Sequence, residues 1–278
     1  MEIQNQTDSF GALISGIDIS SNLNEKQINE IISAINKYKL ICIKNQSLNP
    51  EKLVNFTRFF GQPKKYFVED ETIDGFPEVI EVTNRNKETN EPKVYASHWH
   101  TDDSYRQKPA TLTFMYPKVL PKDGGGGTDF IDCCAVYDEL PDVLKNKITN
   151  YQAVHKWQSR RNVSAVNKLN DEQNAATPDA IHPLIRMHPV SGRKSVFINP
   201  NRIDHISGLS ERDSDTILDE LYEFSFQEKF QYKQSYSEGD LVIWDNRNTM
   251  HKANSDYDTS QLRIMHRVML EGEEVIAG

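Results

Sequence analysis

The chain is short of cysteine, of net positive charge and of long apolar runs, and each shortage removes a class of function. Its three cysteines, Cys42, Cys133 and Cys134, are odd in number with two adjacent. That is a poor disulfide framework and points to a reducing compartment. Lys and Arg total 32 against 41 Asp and Glu, a formal net charge of −9. Without a basic excess, no nucleic acid is expected as the main partner. No apolar run approaches the roughly 20 residues needed to cross a bilayer, so no membrane partner is expected. The opening MEIQNQTDSF is polar and acidic rather than basic and then apolar, as a signal peptide would be, and the expected location is cytoplasmic. No repeat of fixed period and no Pro/Gly/Ser-rich linker divides the 278 residues, and the expectation is one domain over 1–278.

What is present reads as helices followed by many short strands. Asn24 with Gln27 forms a capping pattern ahead of Ile28, Ile31, Ile32 and Ile35, the spacing of an amphipathic helix. Asn49–Pro50 opens a second helix with Leu53, Phe56, Phe59 and Phe60 on its core face and Gly61 placed to end it. From about Val79 strands dominate, interrupted by a helical stretch over Ala135 to Lys147, broken near Pro141, and by Glu211 to Phe226 capped by Ser210. Many short strands with a few helices outside them predict a mostly β fold with flanking helices, a double-sheet barrel or jelly roll. Gln158 to Asp179 is longer than a structureless connection usually is and is expected to be a lid or mobile segment.

Chemistry concentrates in a few stretches. In SHWHTDD, His100 and Asp102 stand at i, i+2, which on a strand points both the same way. An imidazole and a carboxylate converging there make two thirds of a 2-His-1-carboxylate face, the arrangement that holds Fe(II) with positions left open. His98 has the same parity, so spacing leaves it open as a ligand; an exposed polar strand end is the plainer reading of the triplet. The best third ligand is His251, beyond the strand and turn of GDLVIWDNRNTMH. His155, His182, His188 and His205 read as surface or hydrogen-bonding histidines. Arg263 and Arg267, in LRIMHRVML, share strand parity, and a buried guanidinium needs an anion. A pair of structural salt bridges would account for them equally well. GGGGTDF puts Thr128 at a strand start after a flexible turn. It is no phosphate loop, because neither a Lys-Ser/Thr pair nor a helix follows.

Taken together, WHTDDSY, GGTDF, GDLVIWDNRNTMH and RIMHR resemble, in order and rough spacing, the TauD/TfdA family of Fe(II)/2-oxoglutarate-dependent dioxygenases. The resemblance extends over nearly the whole chain, including HPVSGRKSVFIN. It implies a double-stranded β-helix, iron ligands at His100, Asp102 and His251, and binding of the distal carboxylate of 2-oxoglutarate by Thr128 and Arg263. It implies that Arg267 holds an anionic group of the substrate. The implied reaction uses Fe(II), 2-oxoglutarate and O2 to hydroxylate a small anionic organic substrate, a carboxylate, sulfonate or amino-acid-like molecule, releasing succinate and CO2. Family relatives are usually dimers or tetramers, which leaves a homo-oligomer open.

Some positions depart from the taurine-specific pattern. Tyr66 stands where taurine dioxygenases carry a histidine, Ala96 where they carry an asparagine, and Arg202 where a phenylalanine packs near taurine. Taurine is therefore not the expected substrate, and Tyr66 and Arg202 join Arg267 as candidate substrate contacts. Trp157, Arg160 and Arg161 lie near the expected lid and are treated as surface residues. Two other outcomes remain on this scaffold: a metal enzyme of the cupin type without 2-oxoglutarate, and oxidative isonitrile-forming or desaturation chemistry. A small-molecule sensor would have no reason to keep three converging ligands with open positions.

Overall fold

The structure is a computed structural model that describes residues 1–7, 10–66, 72–86, 89–162, 175 and 177–278. Of the segment expected as a lid, 163–174 and 176 lie outside the described residues.

The chain opens with β1 (Glu2–Asn5) and β2 (Ala12–Ser15), then α1 (Glu25–Tyr38) and β3 (Leu40–Ile43). The Asn24 capping box is present, with Asn24 and Gln27 each accepting the other's backbone N–H at 3.0 Å. Next come α2 (Pro50–Thr57), β4 (Thr72–Ile73), β5 (Phe76–Thr83), β6 (Leu112–Val119) and β7 (Thr128–Asp132). α2 stops at Thr57, before Gly61, and Phe59 falls outside it with 47% exposure rather than on its core face. α3 (Cys133–Glu139) and α4 (Asp142–Ile148) are separated at Pro141, as its missing N–H dictates. The rest comprises β8 (Gln152–His155), β9 (Ala180–Pro183), β10 (Ile185–Met187), β11 (Lys194–Val196), β12 (Ile203–Ile206), α5 (Glu211–Ser225), β13 (Gln231–Gln234), β14 (Leu241–Asp245), β15 (Thr249–Ala253), β16 (Ile264–Met269) and β17 (Ile276–Ala277).

Eight strands form the large sheet, in the order β1-β2-β3-β14-β6-β16-β5-β4. A small sheet, β13-β7-β15, faces it, and two further three-stranded sheets, β12-β8-β9 and β11-β10-β17, extend the small layer. Alternation along the large sheet decides both cores. Ile41, Ile43, Phe114, Ile243 and Val268 point outward against Ile31 and Ile35 of α1 and Leu53 and Phe56 of α2. Leu40, Cys42, Met115, Val242, Trp244 and Met265 point inward against Phe130 of the small sheet. Fully burying each such side chain contributes about 1.5–3 kcal/mol. The third cluster packs α3, α4 and α5 on the remaining sheets. This is the expected jelly roll with helices outside it, and the functional groups lie at the open end of the inward-facing core.

A buried ion pair ties the layers together. Lys39, at φ 64 just past α1, reaches Asp132 at 2.7 Å, and Asp132 also caps α3 through the N–H groups of Cys134 and Ala135. All three cysteines are buried and free. Among the described residues, no helix is long and apolar enough to cross a membrane.

Candidate active site

Two remote segments meet to form the site. β15 carries His251, and its antiparallel register with β7 sets His251 opposite Phe130. His251 then meets His100 across a lone antiparallel bridge, with His100 N–H on His251 O at 3.0 Å and His251 N–H on His100 O at 2.8 Å. Past His100 the chain turns, and Asp103 takes φ 55. The strand expected through SHWHTDD is thus reduced to that one bridge, and strand alternation is not what aims Asp102. Thr101 anchors the turn by donating to Asn246 O at 3.0 Å, and the Thr113 hydroxyl of β6 donates to Asp102 Oδ2 at 2.8 Å.

The donor atoms of His100, Asp102 and His251 all lie within 4.8 Å of one another, the one such group among the described residues. His251 Nε2 stands 3.8 Å from Asp102 Oδ2. His100 Nδ1 donates to His98 O at 2.8 Å, which leaves Nε2 as its lone-pair nitrogen. His98 itself is exposed and outside the group, so the ambiguity its parity left resolves against it.

The electrostatics suit a cation. Burial, reinforced by His100, pushes the His251 imidazole down to about 3. Burial also lowers His100, against the pull of Asp102. Burial alone would raise Asp102. His251, Arg267, His100 and the Thr113 hydrogen bond outweigh it and hold the carboxyl at about 2. Two neutral imidazoles and one carboxylate, already deprotonated at neutral pH, are a fitting set for a divalent first-row metal with open positions.

A second layer holds the ligands in place. Trp244 Nε1 donates to Asn246 Oδ1 at 2.9 Å, Asn246 Nδ2 donates to Thr113 Oγ1 at 2.8 Å, and Thr113 passes the chain on to Asp102. The turn that feeds β15 is clamped by Asp245, which is fully buried. Asp245 accepts from Arg247 Nη2 at 2.6 Å and Nε at 2.8 Å, and from His188 Nε2 at 3.0 Å. His188 Nδ1 accepts from the N–H groups of Val190 and Ser191, which makes Nε2 the protonated nitrogen. His182, His188 and His205 are hydrogen-bonding histidines, as expected, on Arg106 O, Asp245 and Asp204, whereas His155 is fully buried with no hydrogen-bond partner among the described residues. The sequence reading passed over Thr113 and Asn246. The DNRN turn after an apolar strand was the only signal for Asn246, and nothing local marked Thr113.

On one side of the triad lies a narrow cavity of about 50 Å³ lined by Thr128, Arg263, His100, His251 and Trp244. Thr128 Oγ1 and Tyr236 Oη are 2.9 Å apart. Arg263 donates through Nε to Gly126 O at 2.8 Å, which points the end of its guanidinium into the cavity. Gly126 has φ +75, and a Cβ there would sit 3.0 Å from Arg263 Cδ; a Cβ on Gly127 would sit 2.6 Å from Gln234 O. The glycine run is thus a close-packed cradle for Arg263 and β13 rather than a flexible turn.

Adjoining the narrow cavity, and sharing His100 and Arg267 with it, lies a wider cavity of about 600 Å³, also lined by Asp102, Tyr66 and Arg202. Arg267 Nη1 is 3.8 Å from Asp102 Oδ1. Arg263, one residue before β16, and Arg267, within it, both reach the narrow cavity as their shared parity predicts. Trp157, treated as a surface residue, lines this cavity, whereas Arg160 and Arg161 turn away to bind Asp215 and Asp219 of α5.

The model of the taurine catabolism dioxygenase TauD, TfdA family matches residues 2–269. The chain is 28% identical over 275 residues to an alpha-ketoglutarate-dependent 2,4-dichlorophenoxyacetate dioxygenase of Burkholderia sp. (strain RASC), covering 95% of this chain and 92% of that protein. It is 27% identical to an alkylsulfatase of Acinetobacter baylyi, covering 98% and 86%. Among solved structures, AAD-2 in complex with Mn(II) and N-oxalylglycine superposes with a TM-score of 0.85 at 28% identity, covering 99% of both chains.

Proposed function

The chain belongs to the TauD, TfdA family, and from that premise we propose that it is an Fe(II)- and 2-oxoglutarate-dependent dioxygenase that hydroxylates a small anionic organic substrate. One observation carries the reading: a His–Asp–His donor set within 4.8 Å borders a narrow cavity holding Thr128 and Arg263 and a wide one holding Tyr66 and Arg202, with Arg267 lining both. In this proposal His100, Asp102 and His251 hold iron. Bound there, the metal supplies activation of O2 coupled to oxidative decarboxylation of 2-oxoglutarate to succinate and CO2.

The protein's own groups supply positioning. Thr128 and Arg263 take the distal carboxylate of 2-oxoglutarate, one through a hydroxyl and the other through the outer fork of its guanidinium. Arg267 holds the substrate's acidic group beside Asp102, with Tyr66 and Arg202 on the surrounding wall. Asp102, held by Thr113 and kept ionised far below neutrality, contributes the single negative charge of the ligand set. Trp244 and Phe130 pack against His251, with ring centroids 4.7 and 6.0 Å away, and keep water from the inner side. Residues 1–278 work as one catalytic domain in this reading, supported by a family match that runs almost end to end. A cytoplasmic location fits three buried free thiols.

The test is anaerobic addition of 2-oxoglutarate to Fe(II)-loaded protein, followed by oxygen and a panel of carboxylates, sulfonates and sulfate esters. The expected result is a visible chelate band and substrate-stimulated succinate release. No band and no succinate with any compound, or zinc-dependent turnover that ignores 2-oxoglutarate, would overturn the reading in favour of a cupin-type metal enzyme.

A further inference from the structure

The wide cavity carries more positive charge than one acidic group needs. Its wall includes Lys64, Lys93, Arg106, Arg202 and Arg267, five cations, against the carboxylates of Asp102 and Asp103. This local excess opposes the chain's formal net charge of −9. Asp103 is already bound to Lys64 and lies 3.7 Å from Arg106 Nε, while Asp102 belongs to the metal ligands. Two cations are thereby accounted for. Arg267 stands 3.8 Å from Asp102 Oδ1, and Arg202 is the guanidinium with no carboxylate at ion-pair distance among the described residues.

Among the described residues, Arg202 is held in place without a carboxylate. Its guanidinium carbon sits 4.2 Å above the Trp157 ring centroid and 5.2 Å from that of Tyr105, and Nη1 donates to Trp157 O. Asp103 influences it only at longer range. Two aromatic faces hold a flat cation rigidly, and most of its N–H donors are left for something that enters the cavity. At the other guanidinium, Tyr66 lies close enough to feel Arg267, and its hydroxyl is buried with no hydrogen-bond partner among the described residues. A buried hydroxyl in that position is costly unless a ligand completes it. The cavity thus has two separate acid-binding positions, one pairing Arg267 with Tyr66 beside the metal ligands and the other at Arg202.

We propose that the substrate is a dianion with an acidic group at each end, one held by Arg267 and Tyr66 and the other by Arg202. The inference rests on the function proposed above, because it takes the wide cavity as the substrate site. Monoanions would fill only one position and leave the second guanidinium desolvated without a counter-charge.

The experiment uses full-length protein saturated with Fe(II) and 2-oxoglutarate without oxygen. Binding of α,ω-dicarboxylates of increasing chain length, each beside its monomethyl ester, is followed calorimetrically and by the shift they cause in the chelate band. The expected result is a chain-length optimum at which the dianion binds about tenfold more tightly than its monoester, one charge-assisted contact. Arg202→Gln should remove that preference while leaving monoester affinity within about twofold, and Arg267→Gln should weaken both ligands. Equal binding of dianion and monoester at every length, or an Arg202→Gln variant that keeps the preference, overturns the inference. Loss of the chelate band in the unsubstituted protein would instead overturn the oxygenase reading itself.

Discussion

The two cavities flanking the His–Asp–His group differ in how their polar groups are spent. In the narrow one, Thr128 bonds Tyr236, Arg263 bonds Gly126 O, and glycines let backbone approach to within contact of both neighbours, although the Tyr257 hydroxyl there is buried without a partner among the described residues. In the wide one, the Tyr66 hydroxyl and Asn201 Oδ1 are buried without partners among the described residues, and Arg202 is held by aromatic faces. A site for an invariant cosubstrate can be satisfied and packed in advance, because one shape serves every turnover. A site that selects a substrate leaves its donors open, and the bound molecule completes them.

The largest effect should come from removing what both cavities share. Replacing His100, Asp102 or His251 with Ala is expected to bring succinate formation down to background and to abolish the anaerobic chelate band. A variant that retains the band would remove that residue from the ligand set. Next, the comparison itself can be split. Arg263→Gln should raise the KM for 2-oxoglutarate on the order of 100-fold with little change in substrate KM, and Arg267→Gln should do the reverse. Equal effects of either variant on both constants would erase the distinction between the cavities.

Thr113→Val and Asn246→Ala leave both cavities intact and remove the hydrogen bonds that aim Asp102. Metal affinity, measured by competition with a chelator, should fall on the order of tenfold, with the circular dichroism spectrum unchanged. Smaller again, Tyr236→Phe should raise the 2-oxoglutarate KM roughly threefold to tenfold while Tyr66→Phe acts only on substrate affinity, each losing one neutral hydrogen bond. The least effect is on stability. Burial holds His155 well below its ordinary value of 6.5, so the folded protein refuses a proton that the unfolded chain accepts. Its contribution is complete above pH 6.5 and shrinks as pH falls below it. His155→Phe, packed on Phe197, should therefore flatten the acid side of the stability profile in urea titrations; an unchanged slope would show that His155 is protonated in the fold.

Much of this was legible along the chain. The Asn24 and Asn49 caps, the break at Pro141 and the continuous apolar runs of Leu40 to Ile43 and Leu241 to Trp244 are local patterns, and each produced its element. The SHWHTDD stretch misled because alternation was assumed to extend through it. A lone bridge to His251 and the Thr101–Asn246 bond turn the chain instead, and neither is visible within the motif. His182 and His188 are hydrogen-bonded, as expected, whereas His155 has no partner among the described residues; which partner a buried ring finds depends on remote residues such as Asp245, 57 positions from His188.

Short-range spacing and side-chain chemistry by themselves determined the element types, the mostly β architecture and the histidines and aspartate from which the donor set is drawn. They did so because hydrophobic periods, caps and ligand types act over a few residues. Tertiary structure alone decided that residues 100 and 251 share a bridge, that Thr113 and Asn246 stand behind Asp102, and that Arg202 is wedged between Trp157 and Tyr105. Those juxtapositions depend on strand register and chain crossings between distant segments, and contacts of that kind leave no periodic trace in a single sequence.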